Sequence, residues 1–218
     1  SIRQSAELLD EKLVNIKVCD PAIGSGAFPV GMMSEIVKTR NVLSTYIKNK
    51  NRTIYNFKRE CIEKSLYGVD IDSGAVEIAK LRLWLSLVVD EEDIKQIKPL
   101  PNLDYKIVCG DSLLGVEKNL FNLSLFSELE RLKPLLFGET NPKKKQECKK
   151  QIDDIIRQIT NGHKEFDFEV YFSEVFHDEK KGFDVVIANP PYVGEKGHKE
   201  IFRKVKQGLL SKFYLGKM

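Results

Sequence analysis

Short apolar runs alternate along the chain with longer stretches whose apolar residues return every three or four positions, and the two periods predict different elements. Residues 2–13 carry the helical period, and Ile16-Lys17-Val18-Cys19-Asp20 is a brief apolar strand stopped by Pro21. From Ala27 to about Lys50 the helical spacing returns, with Pro29 confined to the first turn, where its missing N–H is tolerated. A helix over 57–64 leads into Ser65-Leu66-Tyr67-Gly68-Val69-Asp70-Ile71, a second strand ending in acids. Residues 74–89 predict a helix apolar on most faces and therefore packed against a sheet, with Ser73 as its candidate cap. Tyr105-Lys106-Ile107-Val108-Cys109 is a third strand, ended by Gly110 and Asp111. Phe183-Asp184-Val185-Val186-Ile187-Ala188 is a continuous apolar run of the kind expected for a strand buried on both faces.

Strand, acidic residue, helix, repeated in that order, predicts an α/β fold whose mostly parallel sheet is joined by crossover helices. In such folds the ligand crevice lies at the carboxyl ends of the strands, where these aspartates stand. Between Leu120 and Asp167 the pattern changes to a polar, lysine-rich helical stretch with a break at Asn141-Pro142. The expected organisation is therefore a ligand-binding part over 1–119, an inserted helical arm over 120–166, and a return to the sheet over 167–218.

Composition narrows the classes. With 42% hydrophobic and 31% charged residues the chain is neither disordered nor membrane-spanning, and 218 residues suit one domain plus an insertion. Its longest apolar stretch, around Leu83-Trp84-Leu85 and on to Val89, falls far short of the roughly 20 residues of a membrane helix, and no signal peptide precedes it. A net charge of +3 does not by itself call for a nucleic acid. Cys19, Cys61, Cys109 and Cys148 lie 42, 48 and 39 residues apart and read as buried thiols in a reducing cytoplasm. The scattered His163, His177 and His198 form no ligand pattern, so no metal is expected.

The chemistry lies in four turns. In Asp20-Pro21-Ala22-Ile23-Gly24-Ser25-Gly26-Ala27-Phe28, two glycines mark a strand-to-helix turn where a ligand can touch the backbone. The Walker spacing is missing and the dinucleotide fingerprint is incomplete, which disfavours a pyrophosphate and leaves a smaller nucleoside. Asp70 stands where an acid can accept both hydroxyls of a ribose, with capping of the next helix as the plainer role, and for Asp72 capping is the expected one. Asp111 has two readings as well, a turn cap or an acceptor for an adenine amino group. In Asn189-Pro190-Pro191-Tyr192 the prolines stiffen a strand exit. There the Asn189 oxygen and the Pro190 carbonyl can accept both hydrogens of a planar amine, while Tyr192 offers a stacking face.

The ordered set Asp20 to Phe28, Gly68-Val69-Asp70-Ile71-Asp72, Gly110-Asp111 and Asn189 to Tyr192 resembles the amino-methyltransferases that modify adenine in DNA with S-adenosylmethionine. Phe166-Asp167-Phe168-Glu169 through Phe176, Gly182-Phe183-Asp184 and the segment Lys196 to Lys206 resemble the adenine methyltransferase part of type II restriction–modification enzymes, type IIG in particular. The resemblance implies a Rossmann-like methyltransferase fold, incomplete at its C-terminal side. It implies that Asp20, Pro21, Ala22, Gly24, Gly26 and Phe28 surround the methionine part of the cofactor and that Asp70 holds its ribose. Ile71 is implied at the cofactor adenine and Asp111 at its amino group, with the adjoining Ser112 also among the cofactor-binding residues. Asn189, Pro190, Pro191 and Tyr192 are implied around the target adenine, which must be flipped out of the duplex. Ile23 stands where these enzymes commonly carry Cys, and the Thr-Pro motif usual before the first strand is absent. Double-stranded DNA is the implied partner, together with a restriction nuclease and a target-recognition domain, attached or separate. Methylation of a protein glutamine or of RNA adenine, and a cofactor-binding fragment inactive by itself, are the competing readings.

Overall fold

The computed structural model describes residues 2–47, 49, 52–89, 102–113, 115, 123–138, 141–160, 162, 166–176, 181–192, 194, 197–207 and 211. The chain divides into two compact units, Ser1–Cys109 with Phe183–Pro190, and Gly110–Gly182 with Pro191–Met218.

The first unit is an α/β sheet unit. Helix α1 (Ile2–Asn15) precedes strand β1 (Val18–Asp20), helix α2 (Ala27–Leu43), helix α3 (Ile54–Lys64), strand β2 (Leu66–Asp70), helix α4 (Ser73–Val88) and strand β3 (Ile107–Cys109). Strand β4 (Val185–Val186) completes a four-stranded sheet of order β3-β2-β1-β4 in which every pairing is parallel. Side chains two apart on a strand share a face. Val18, Leu66 and Ile107 thus meet one helical layer through Met33, Ile62 and Leu83, all fully buried or nearly so. Each such side chain removed from water contributes about 1.5–3 kcal/mol before the entropy of ordering it is subtracted.

Several boundaries differ from the sequence expectation for local reasons. Helix α2 closes at Leu43 because Ser44 Oγ and Thr45 Oγ1 return to the carbonyls of Arg40 and Val42, competing with the helical ladder. Helix α3 starts three residues early, at Ile54, because Thr53 caps it by accepting from Asn56 N–H at 3.2 Å. Strand β3 begins only at Ile107, since Lys106 and Ile107 both donate their N–H to the Leu103 carbonyl in a turn. Helix α4 is capped by Asp72 and not by Ser73. It is also not buried on most faces: Val76, Ala79, Leu83 and Leu87 face the core, while Ile78, Leu81 and Leu85 are about half exposed. Strand β4 lies at the edge of the described sheet, so the expected burial on both faces is not seen and Val186 is 64% exposed. Cys19 and Cys61 are buried as expected, but Cys109 is exposed at a strand end and Cys148 is half-buried on a helix.

A charged knot ties α1, α2 and α3. Asp10 accepts from Arg40 Nε at 3.0 Å and from Arg52 Nη1 at 2.7 Å, and both guanidinium groups lie over the Phe57 ring at 4.4 and 4.9 Å. Burial raises the Asp10 pKa, but the hydrogen bonds from the two arginines outweigh it and hold the carboxyl below its ordinary value.

The second unit contains helices α5 (Leu123–Gly138), α6 (Pro142–Ile159), α7 (Phe168–Tyr171), α8 (Ser173–Phe176) and α9 (Lys199–Gln207). Helices α5 and α6 pack on one another, with Leu129, Leu132, Ile152 and Ile156 buried. Lys133 is buried on α5 and donates to the carbonyls of Val170 and Tyr171, the last carbonyls of α7, with Glu174 at 3.5 Å. Burial pushes its pKa down, and Glu174 opposes that shift. Among the described residues no helix is long and apolar enough to cross a membrane.

Candidate active site

The register sets which residues meet at the carboxyl edge of the sheet. Asp20 pairs with Gly68, and Cys19 pairs with both Tyr67 and Val186. The Ile187 N–H continues the ladder to the Cys19 carbonyl at 3.0 Å. Counted from that common level, Asp70 and Asn189 stand three residues further on, one on each side of β1. Two strand spacings, about 10 Å, separate the strands that carry them.

The turn after β1 is folded onto β2 by its own N–H groups. Ala22 donates to Asp20 Oδ1 at 3.0 Å, Ile23 to the Val69 carbonyl at 2.9 Å, Gly24 to Asp70 Oδ2 at 2.8 Å and Gly26 to the Ile23 carbonyl at 2.9 Å. These four N–H groups are used within the turn and on β2 and are not offered to a phosphate. Two glycines are required by space. A Cβ on Gly68 would come 2.3 Å from Ile23 Cδ1, and one on Gly26, at φ +83°, would meet Ala79 of α4 at 3.1 Å. Ile23 is thus the plug that seats the turn on β2.

The edge is acidic. Asp20 is 1% exposed; its Oδ1 takes the Ala22 N–H, and its Oδ2 is buried without a hydrogen-bond partner among the described residues. Burial raises the Asp20 pKa, the Ala22 hydrogen bond lowers it, and the negative charge of Asp70 raises it further, leaving it above the ordinary value. Burial and the charges of Asp70 and Asp72 likewise raise the pKa of the Cys109 thiol. A buried, unsatisfied carboxylate oxygen beside a second carboxylate repels an anion and favours a cationic donor.

The remaining candidates are placed as follows. Pro21, Ala22 and Gly24 are half-buried, Gly26 is buried, Phe28 is 40% exposed on the first turn of α2, and Ile71 is 73% exposed just past β2. Asp70 does not cap α4; Asp72 does, accepting from Gly74 N–H at 2.8 Å, while Asp70 Oδ1 accepts from Asp72 N–H at 3.0 Å. Asn189 and Pro190 are exposed where the chain leaves β4. Asp111, Ser112, Pro191 and Tyr192 belong to the second unit. There Asp111 accepts from Leu113 N–H at 3.0 Å, the turn role foreseen as one of its two readings, and Tyr192 is 99% exposed. A Cβ on Gly110 would lie 2.4 Å from the Phe166 ring, which stacks on Tyr171 at 4.9 Å, so the turn at Asp111 is packed against the aromatic cluster.

Two contributors were not foreseen. Arg82 Nη1 on α4 donates to Ser25 Oγ at 3.1 Å, bracing the glycine turn from the helix that also carries Ala79. Phe166 fixes the Gly110 turn. A small residue and an arginine one turn apart on a helix are too common to flag the first, and the second needs the chain to fold back over more than 50 residues.

Residues 64–217 match the Eco57I restriction-modification methylase family. The α/β fold with its four-stranded parallel sheet is consistent with a methyltransferase fold, and the chain belongs to that restriction-modification methylase family. A Methanocaldococcus jannaschii protein named as a type II restriction enzyme and methyltransferase is 44% identical over 121 residues, which is 54% of this chain and 10% of that protein. The type II restriction enzyme and methyltransferase RM.Eco57I of Escherichia coli is 27% identical over 188 residues, 76% of this chain and 19% of that one. The matched parts of the chain thus span between a tenth and a fifth of the length of these curated relatives.

Proposed function

We propose that the chain is the catalytic core of an S-adenosylmethionine-dependent enzyme that methylates the exocyclic amino group of adenine in double-stranded DNA, as the modification activity of a type II restriction–modification enzyme. Membership of the methylase family supports the reaction class. The single observation that carries the reading further is Asp20 Oδ2, a buried acceptor without a partner beside the charge of Asp70. That orphan fits the cofactor, whose ammonium and sulfonium groups are both cationic. In this reading Asp20, Pro21, Ala22, Gly24, Gly26 and Phe28 enclose its methionine part. Asp70 holds the ribose, Ile71 packs on the adenine, and Asp111 with Ser112 binds the adenine amino group. When bound, S-adenosylmethionine supplies a methyl group activated by the sulfonium.

The protein's part is positioning. Asn189 Oδ1 and the Pro190 carbonyl accept the two hydrogens of the target amine, favouring a tetrahedral nitrogen whose lone pair is free to react. Pro191 stiffens the exit and Tyr192 stacks on the extruded base, returning about 1–3 kcal/mol of the few that flipping costs. No strong general base is needed, because the nitrogen becomes acidic as it is alkylated. Residues 120–166 form the arm inserted between the cofactor half and the clamp, and a nuclease and a target-recognition domain are the partners of the whole protein.

The test is to incubate the full-length protein with methyl-labelled cofactor and duplex DNA, RNA or protein, and then to separate the digested products. Label in N6-methyl-2′-deoxyadenosine supports the reading. Label in cytosine, in RNA or in a glutamine side chain overturns it.

A further inference from the structure

Positive charge is dense on the first half of α6, as it also is over residues 196–206, where Lys196, Lys199, Arg203, Lys204 and Lys206 stand against Glu200. Residues 142–151, the first half of α6, hold Lys143, Lys144, Lys145, Lys149 and Lys150 against Glu147, a net of +4 where the entire chain has +3, so everything else is net negative by one. The helix gains nothing from this. Lys143 to Lys145 stand in its first turns, where the backbone dipole is already positive and a cation is destabilising. The end is also capped, since Asn141 Oδ1 accepts from Lys143 N–H at 3.0 Å and Lys144 N–H at 3.4 Å. Lys143, Lys144, Lys145 and Lys150 are exposed, and among the described residues their side chains make no ion pair. Further along the helix Ile152, Ile155, Ile156 and Ile159 are buried, and α6 packs along α5, which holds it as a stiff strut. Lys143 and Lys150 fall on one line of it, two turns or about 10.5 Å apart.

We propose that the face of α6 that carries Lys143, Lys144 and Lys150 docks on the phosphate backbone of duplex DNA. The proposal rests on the DNA-methyltransferase reading and adds to it a surface built from residues other than those of the adenine clamp. Residues 141–151 contain no aromatic side chain on which an unpaired base could stack, which points away from single strands. Point charges on a rigid helix match the dense, sequence-independent line of charge along a duplex, and neutralising it releases counterions.

The experiment measures binding of the full-length protein to duplex DNA against salt concentration, for the wild type and the variant Lys143→Gln/Lys144→Gln/Lys145→Gln/Lys150→Gln. At about 0.9 per phosphate contact, the slope of log affinity against log salt is expected to fall by about 2–3 in the variant. Its affinity loss between 50 and 200 mM salt is then about fortyfold smaller than that of the wild type. Cofactor affinity, measured on the same samples, should not change. An unaltered slope in a variant that still binds cofactor overturns the surface alone when the wild type binds and methylates DNA; a wild type that binds no duplex overturns the functional reading with it. Should the fourfold variant fail to fold, Glu147→Gln, which removes the acid from the face, is expected to tighten binding at low salt, and unchanged affinity there counts against the proposal.

Discussion

Asp70 accepts the Gly24 N–H at 2.8 Å across 46 residues of chain, so one carboxylate both ends β2 and holds the glycine turn of β1 in place. Its other oxygen takes the Asp72 N–H at 3.0 Å. Each oxygen keeps a lone pair for a ligand hydroxyl. Replacing Asp70 with Ala should weaken cofactor binding by about 1.5–3 kcal/mol, the range for charge-assisted hydrogen bonds. Asn should do little better, because its amide NH2 would face one of the two N–H donors. Calorimetry checks this, and unchanged affinity in Asp70→Ala would mean that the carboxylate only braces the turn.

Asp20 makes the unliganded protein pH-sensitive. Its folded pKa is raised by burial and by Asp70, so between the ordinary value of 3.8 and the raised one the native state holds a proton that the unfolded chain has lost. Stability therefore falls as pH rises through that window, and the ionised carboxylate is a liability above it. Asp20→Asn should remove this dependence and stabilise the ligand-free protein at pH 7 by roughly 1 kcal/mol. Denaturant unfolding of both proteins across pH 3.5–7 reads the difference, and parallel curves would refute it.

Asp10 behaves oppositely. Its carboxyl is held below 3.8 by Arg52 and Arg40, so its stabilisation is full above that value and is lost as pH falls through the lower folded pKa. Asp10→Ala takes the carboxylate from the buried Arg52 guanidinium and leaves Arg40 with Glu60 alone, and should cost about 3–5 kcal/mol in denaturant unfolding. A loss under 1 kcal/mol would show that Glu60, at 2.9 Å from Arg40, takes over.

Asn189→Ala should lower kcat on duplex DNA by an amount equivalent to about 3–4 kcal/mol while leaving cofactor affinity nearly unchanged, as for a preorganised hydrogen-bonding group. Equal turnover would remove Asn189 from the clamp.

Much of this was legible in the chain. Short apolar runs ending in Asp20 and Asp70 pointed to the parallel strands, because a strand buried under helices must be apolar and its carboxyl end must turn where polar groups are tolerated. Asp72 was readable as a cap from its place before a helical run. What escaped depends on distant packing. The half-exposed face of α4 looks like core in sequence, because apolar periodicity reports what a face could bury and not whether a neighbour is present to cover it. Val186 on β4 misleads in the same way. The Ile23 plug over Gly68 and the Phe166 contact with Gly110 are matters of ångströms between residues far apart in sequence. The orphan oxygen of Asp20 could be named as a site residue but not as a buried, unsatisfied one.

Titrating S-adenosylmethionine into the wild-type protein and into Asp20→Asn by calorimetry asks most directly whether the acidic strand edge is a seat for a cationic nucleoside. Binding by the wild type with affinity at least tenfold weaker in Asp20→Asn, the equivalent of about 1.4 kcal/mol or more for a charge-assisted contact, is the expected result. Equal affinity in the two proteins, or no binding by either, would contradict it.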